Sequence, residues 1–144
     1  MRKSAMLVMT FAFSLSGCAI TQSVKPVNTA DISEVCIVQN PPVRAGFLQT
    51  YVRVLGTKGY KVTQLPPGST SSACPVVSTY MGLWSWDLAL YLSFAEITVF
   101  RNGSEEGKAV YDSRGGGANM NKFVKGEEKI TELVNALFPG SAAK

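Results

Sequence analysis

Between Glu34 and Leu65 three hydrophobic patterns follow one another, and together they leave few folds open. Val35-Cys36-Ile37-Val38 is a continuous apolar run, the pattern of a strand covered on both faces. Asn40-Pro41-Pro42 stops it, and the asparagine is placed to cap a helix after it. From Val43 to about Thr57 the apolar residues Val43, Phe47, Tyr51, Val54 and Leu55 recur in steps of three and four, which predicts a helix with one buried stripe. Gly59 ends it, and Tyr60 to Leu65 then alternates with period two, as a strand with one wet face should. Strand, helix and strand in this order predict a right-handed crossover and a parallel pair.

The rest of the chain reads as strands closed by a second helix. Pro66 to Ser72 is a loop by composition, and a strand resumes near Cys74 and runs to Tyr80. Trp84, Trp86, Leu88, Leu90, Leu92 and Phe94 alternate with smaller or polar residues, which predicts one long strand from Trp84 to Arg101, with a helical piece as the alternative. Its apolar phase flips after Ala95, so a bulge or bend is expected near Ala95 and Glu96. Asn102-Gly103 is a strong hairpin signal, with Lys108 to Ser113 as the return strand. Ile130, Leu133, Val134 and Leu137 give the stripe of a closing helix from Glu127 to Phe138, starting as early as Asn121 if Phe123 belongs to it. The expected fold is therefore α+β: a single domain with a mixed, mainly antiparallel sheet of four to five strands, two helices on one face, and the order β-α-β-β-β-β-α.

Ahead of this domain, residues 1–17 have the parts of a secretory signal: Arg2 and Lys3, an apolar core from Ala5 to Leu15, and small residues before a cleavage point. The core falls short of the roughly 20 apolar residues a spanning helix needs. Leu15-Ser16-Gly17-Cys18 resembles the lipobox of bacterial lipoproteins. That resemblance implies a diacylglycerol on the Cys18 sulfur, cleavage before it, and an acyl chain on the new amino group. The lipid bilayer is then a partner through Cys18, and no other cofactor is expected. Ala19 in place of Asp implies, by the same resemblance, release to the outer membrane, facing the periplasm. Residues 18–33 are polar and aperiodic and read as a flexible lipidated tether, which leaves 34–144 as the periplasmic domain.

Arg2 and Lys3 carry two of the four positive charges in the chain's net +4, so the mature protein offers no basic surface for nucleic acid. With Cys18 committed to lipid, Cys36 and Cys74 form an even pair in an oxidising compartment, and a disulfide is expected between them. Two buried free thiols on neighbouring strands are the alternative. A metal site is not expected in a chain without histidine or a Cys-x-x-Cys spacing.

Tyr111-Asp112-Ser113-Arg114 with the glycines after it, Asn119-Met120-Asn121-Lys122-Phe123, Trp86 to Tyr91 and the Cys36 and Cys74 pair together resemble the Sbal family of small proteobacterial lipoproteins. The resemblance implies a lipoprotein and supplies no reaction.

Catalysis would fall to Asp87, Glu96, Asp112 or a lysine, with no nucleophile elbow or phosphate loop in sight, so an enzyme is not expected. Two binding features stand against plainer readings. Arg114 with Gly115 and Gly116 could turn backbone N–H groups to an anion, or simply form a bent connection. Trp84, Trp86, Tyr80, Tyr91 and Tyr111 could line a glycan or peptide surface, and the plainer reading puts Trp84 and Trp86 in the core. The leading expectation is a membrane-anchored, non-enzymatic domain that holds an envelope protein partner; a small-ligand or glycan-binding module is the alternative.

Overall fold

A computed structural model of the chain describes residues 19–144; the expected signal segment 1–17 and Cys18 lie outside the described residues. The domain is α+β, one mixed sheet with two helices. The strands are β1 (Thr21–Lys25), β2 (Glu34–Val38), β3 (Lys61–Leu65), β4 (Val76–Asp87), β5 (Ala89–Arg101) and β6 (Ser104–Asp112), in the spatial order β1-β6-β5-β4-β2-β3. The helices are α1 (Ala45–Thr57) and α2 (Gly126–Leu137). The crossover β2-α1-β3 is formed as expected, with Val35 opposite Val62 in a parallel register. β2 also pairs in parallel with β4, while each neighbouring pair along β4, β5, β6 and β1 is antiparallel.

Both helices cover one face. Phe47, Tyr51, Val54 and Leu55 of α1 and Ile130, Leu133, Val134 and Leu137 of α2 are buried against Ile37, Tyr80, Leu92, Ile97 and Tyr111 of the sheet. Burial of a side chain of this size contributes about 1.5–3 kcal/mol, so the two stripes supply much of what holds the fold. Tyr51 is wholly enclosed and its hydroxyl meets Ser78 Oγ at 2.8 Å, so no polar atom of that ring is stranded. On the opposite face a smaller cluster of Cys36, Val38 and Val77 is covered by Leu65 and Cys74. Cys36 and Cys74 are joined as a disulfide that spans 38 residues, which pins the Pro66 to Pro75 loop over that cluster.

Four sequence expectations are corrected. Residues 19–33 of the expected 18–33 tether are instead part of the fold: β1 pairs with the Lys108 to Asp112 part of β6, Val27 and Ile32 are buried, and Val27 N–H donates to the Leu137 carbonyl. An unpaired edge there would leave its backbone groups open to other chains, and β1 covers it from Lys108 to Asp112. The sheet accordingly has six strands, not four or five. The stretch from Trp84 to Arg101 is not one strand: the chain reverses at Leu88, where Asp87 pairs with Ala89 and Trp86 with Leu90. The irregularity in its ladder lies opposite Leu83 and Trp84, where Ser93 is the extra residue, two positions before the expected bend. Ser93 Oγ accepts from Ser85 Oγ and donates to the Leu83 carbonyl, which satisfies the bulge.

The start of α1 is also later than expected, whereas α2 starts within a residue of the expected Glu127 and does not extend back to Asn121. Arg44, not Asn40, stands at the N-cap of α1, because Asn40 Nδ2 donates instead to the Tyr80 carbonyl and ties the loop to β4. Met120–Lys122 is a separate 3-10 turn and α2 begins at Gly126. The Asn102-Gly103 hairpin is as expected: both residues have positive φ, 50° and 83°, between paired Arg101 and Ser104.

Candidate functional site

The hairpin of β4 and β5 is longer than the sheet that carries it. The last rung shared with β6 is Phe94 with Asp112, and Asp112 in turn pairs with Thr21, the first residue of β1. Beyond that rung, Trp84 to Leu92 continue as a two-stranded ribbon. Such a ribbon is marginal by itself. Its base is held by Trp84, edge-on to Phe47 at 6.5 Å with the Arg44 guanidinium over it at 5.6 Å, and by Tyr91, edge-on to Phe123 at 5.3 Å. Lys122, only 5% exposed, donates to Asp87 and to the Gly117 carbonyl and lies over the Tyr91 and Phe123 rings. The Asp87 carboxylate holds the Lys122 ammonium above its usual pKa, so that ammonium stays charged through neutral pH.

The tip itself is bare. Trp86 is 75% exposed, Leu88 86% and Met120, on the loop between β6 and α2, 70%. Leu90, Met81 and Leu83 add to them, so the exposed large apolar side chains among the described residues gather at this one end of the sheet and on the adjoining face of β4. Leu88 holds a left-handed backbone, φ 61°, at the turn. Glycine or asparagine takes that conformation at little cost, whereas a leucine there loses about 1–2 kcal/mol.

The chain also enters the fold here. Ala19 and Ile20 run beside the 3-10 turn Arg114–Gly116. A Cβ on Gly115 would come within 3.2 Å of the Ala19 carbonyl oxygen, and one on Gly116 within 3.2 Å of Ile20 Cγ1, so the glycines make room for the incoming segment. Arg114 is bound to Asp112 by Nε at 2.9 Å and Nη2 at 2.6 Å and covers the Phe94 ring. That fork pulls the Asp112 carboxyl below its ordinary pKa. The three residues expected to cradle an anion thus serve a close approach and an ion pair. A cleft of about 770 Å³ between Ala19, Gln22, Asn119, Phe123 and Lys129 opens onto the Tyr111 ring. Tyr111 is buried, its hydroxyl has no hydrogen-bond partner among the described residues, and Lys129 lies 4.9 Å over the ring.

The aromatic residues singled out in the sequence therefore do not share a platform. Tyr111 is in the core, Trp84 is half-buried under Arg44, and Trp86 alone projects. Each carboxylate considered for catalysis faces a cation: Asp87 meets Lys122, Glu96 meets Lys108 at 3.1 Å, and Asp112 meets Arg114. Among the described residues no three His, Cys, Asp or Glu side chains stand close enough to hold a metal ion, and no helix is long and apolar enough to cross a membrane. What the sequence did not reveal is that the chain entry, the glycine turn and the bare hairpin tip occupy one end of the sheet; only the strand register brings them together.

No protein-family model and no curated protein matches the chain. Two solved structures share its fold. One is a dodecamer of a single-residue Leu-to-Met variant of PelC from Paraburkholderia phytofirmans, 13% identical with a TM-score of 0.57, aligned over 88% of this chain and 100% of that one. The other is the PelC dodecamer from the same organism in a different crystal form, 14% identical with a TM-score of 0.52, over 86% and 99%. At such identity the likeness establishes the fold alone.

Proposed function

We propose that this protein is a bacterial envelope lipoprotein whose domain works by holding protein partners, further copies of itself included, and not by catalysis. In this reading residues 1–17 are removed, Cys18 carries a diacylglycerol and an acyl chain, and the domain sits on the periplasmic side of the outer membrane. The observation that carries it is the junction: Cys18 of Leu15-Ser16-Gly17-Cys18 stands directly before Ala19, which is already packed on Gly115. The Cys36–Cys74 disulfide is in keeping with an oxidising compartment, and the resemblance to the Sbal lipoproteins belongs to the same proposal. The two PelC structures are dodecamers, which favours self-association as the form that partnership takes.

Crosslinking in intact cells followed by mass measurement of the detergent-extracted protein tests the partnership. The expected result is a defined multiple of the chain or a complex of fixed stoichiometry with an envelope protein. A monomer that crosslinks to nothing contradicts it.

A further inference from the structure

We propose that the β4–β5 tip, Trp86 to Leu90, together with Met120, seats in the phospholipid surface to which Cys18 is anchored. The inference rests on the lipoprotein reading and adds a second, non-covalent membrane contact to it. Three observations converge on the same end of the sheet. Thr21 lies on the rung of Asp112, Phe94 and Leu83, and Cys18 is three residues before it, a reach of at most about 10 Å. Leu88 is five residues past Leu83, so the tip rises roughly 16 Å beyond that rung. An acylated Cys18 therefore holds this end of the domain, and not the opposite one, against the bilayer.

The side chains there suit that position. An indole and aliphatic groups on a short ribbon match the interfacial zone, where tryptophan is favoured and apolar groups enter the headgroup boundary by about 5–10 Å. Trp86, Leu88 and Leu90 are bare while the residues below them are packed, and an exposed leucine occupies a turn position where glycine or asparagine would be less strained. The Lys122 clamp on Asp87, together with Tyr91 on Phe123, stiffens the ribbon so that the tip is presented and not folded back. With only Ala19 and Ile20 between Cys18 and β1, the two contacts fix the orientation of the domain as well as its distance from the membrane.

Tryptophan fluorescence tests this on the full-length protein purified from membranes and placed in vesicles of phosphatidylethanolamine and phosphatidylglycerol containing brominated lipid. Trp84 and Trp86 are the only tryptophans, and Trp86→Phe, at an exposed position, isolates the second by difference. The expected result is a blue-shifted Trp86 emission that brominated lipid quenches, and loss of that quenching in Trp86→Phe. A Trp86 that stays open to aqueous iodide and indifferent to brominated lipid overturns the proposal. So does a Trp86 shielded from both quenchers, which means that another copy or a protein partner covers the tip. The intact mass of the same sample separates the two levels: an unmodified Cys18 removes the lipoprotein reading and the tip contact with it, whereas an acylated Cys18 beside a water-exposed Trp86 removes the tip contact alone.

Discussion

Removing the Cys36–Cys74 bridge, by reduction or by replacing both cysteines with alanine, lowers the free energy of unfolding by about 3–4 kcal/mol. The 38-residue span sets that figure through the loop-closure entropy the bridge takes from the unfolded chain. The folded state loses something too. Cys36 is buried beside Val38 and Val77, and Cys74 is what keeps the loop after Pro66 over them. With stabilities of small domains near 5–15 kcal/mol, the loss is a large share of the total. Urea unfolding of the oxidised and reduced protein measures it; a difference below about 0.5 kcal/mol contradicts the assignment of a structural role to the bridge.

The second large effect is expected at Phe47. Its ring is fully buried, stacks on Tyr80 at 5.1 Å, meets Trp84 edge-on, and fills the space that Gly82 leaves by having no side chain. Phe47→Ala therefore empties the junction of α1, β4 and the base of the projecting ribbon, where the neighbours are backbone and rigid rings that collapse poorly. The expected cost is about 3–5 kcal/mol in denaturant unfolding, with increased exposure of Trp84 to iodide. A cost below about 1 kcal/mol means that this junction does not hold the ribbon to the domain.

Both effects fall on elements that the sequence signals directly. The stripe through Phe47, Tyr51 and Val54, the stripe through Ile130, Leu133 and Leu137 and the Asn102-Gly103 turn each declare themselves within a few residues, and the cysteine pair is read from its even number alone. The elements that depart from expectation lack such signals for physical reasons. β1 has only Val24 packed toward the core and its other residues wet, so an edge strand there looks like a polar linker. The reversal at Leu88 keeps the alternation of Trp84, Trp86, Leu90 and Leu92 in phase, because a single residue separates the paired Asp87 and Ala89, and a leucine gives no turn chemistry. The glycines after Arg114 look like an anion cradle until Ala19 and Ile20 are seen against them. Alternation ordinarily signals burial, yet at Trp86 and Leu90 it continues past the end of the core. The candidate surface depends on the rung that links Thr21, Asp112, Phe94 and Leu83, a relation among four strands that no single stretch of sequence carries.

The chemistry of Cys18 underlies both the proposed function and the proposed membrane contact, and the intact mass of the protein extracted from cell membranes tests it most directly. The predicted result is a chain that begins at Cys18 and carries the added mass of a diacylglycerol and one acyl chain, with Cys18→Ala found unlabelled by fatty acid and released from the membrane fraction. A mature chain that begins elsewhere, or that holds Cys18 as an unmodified thiol while remaining in the membrane fraction, contradicts it.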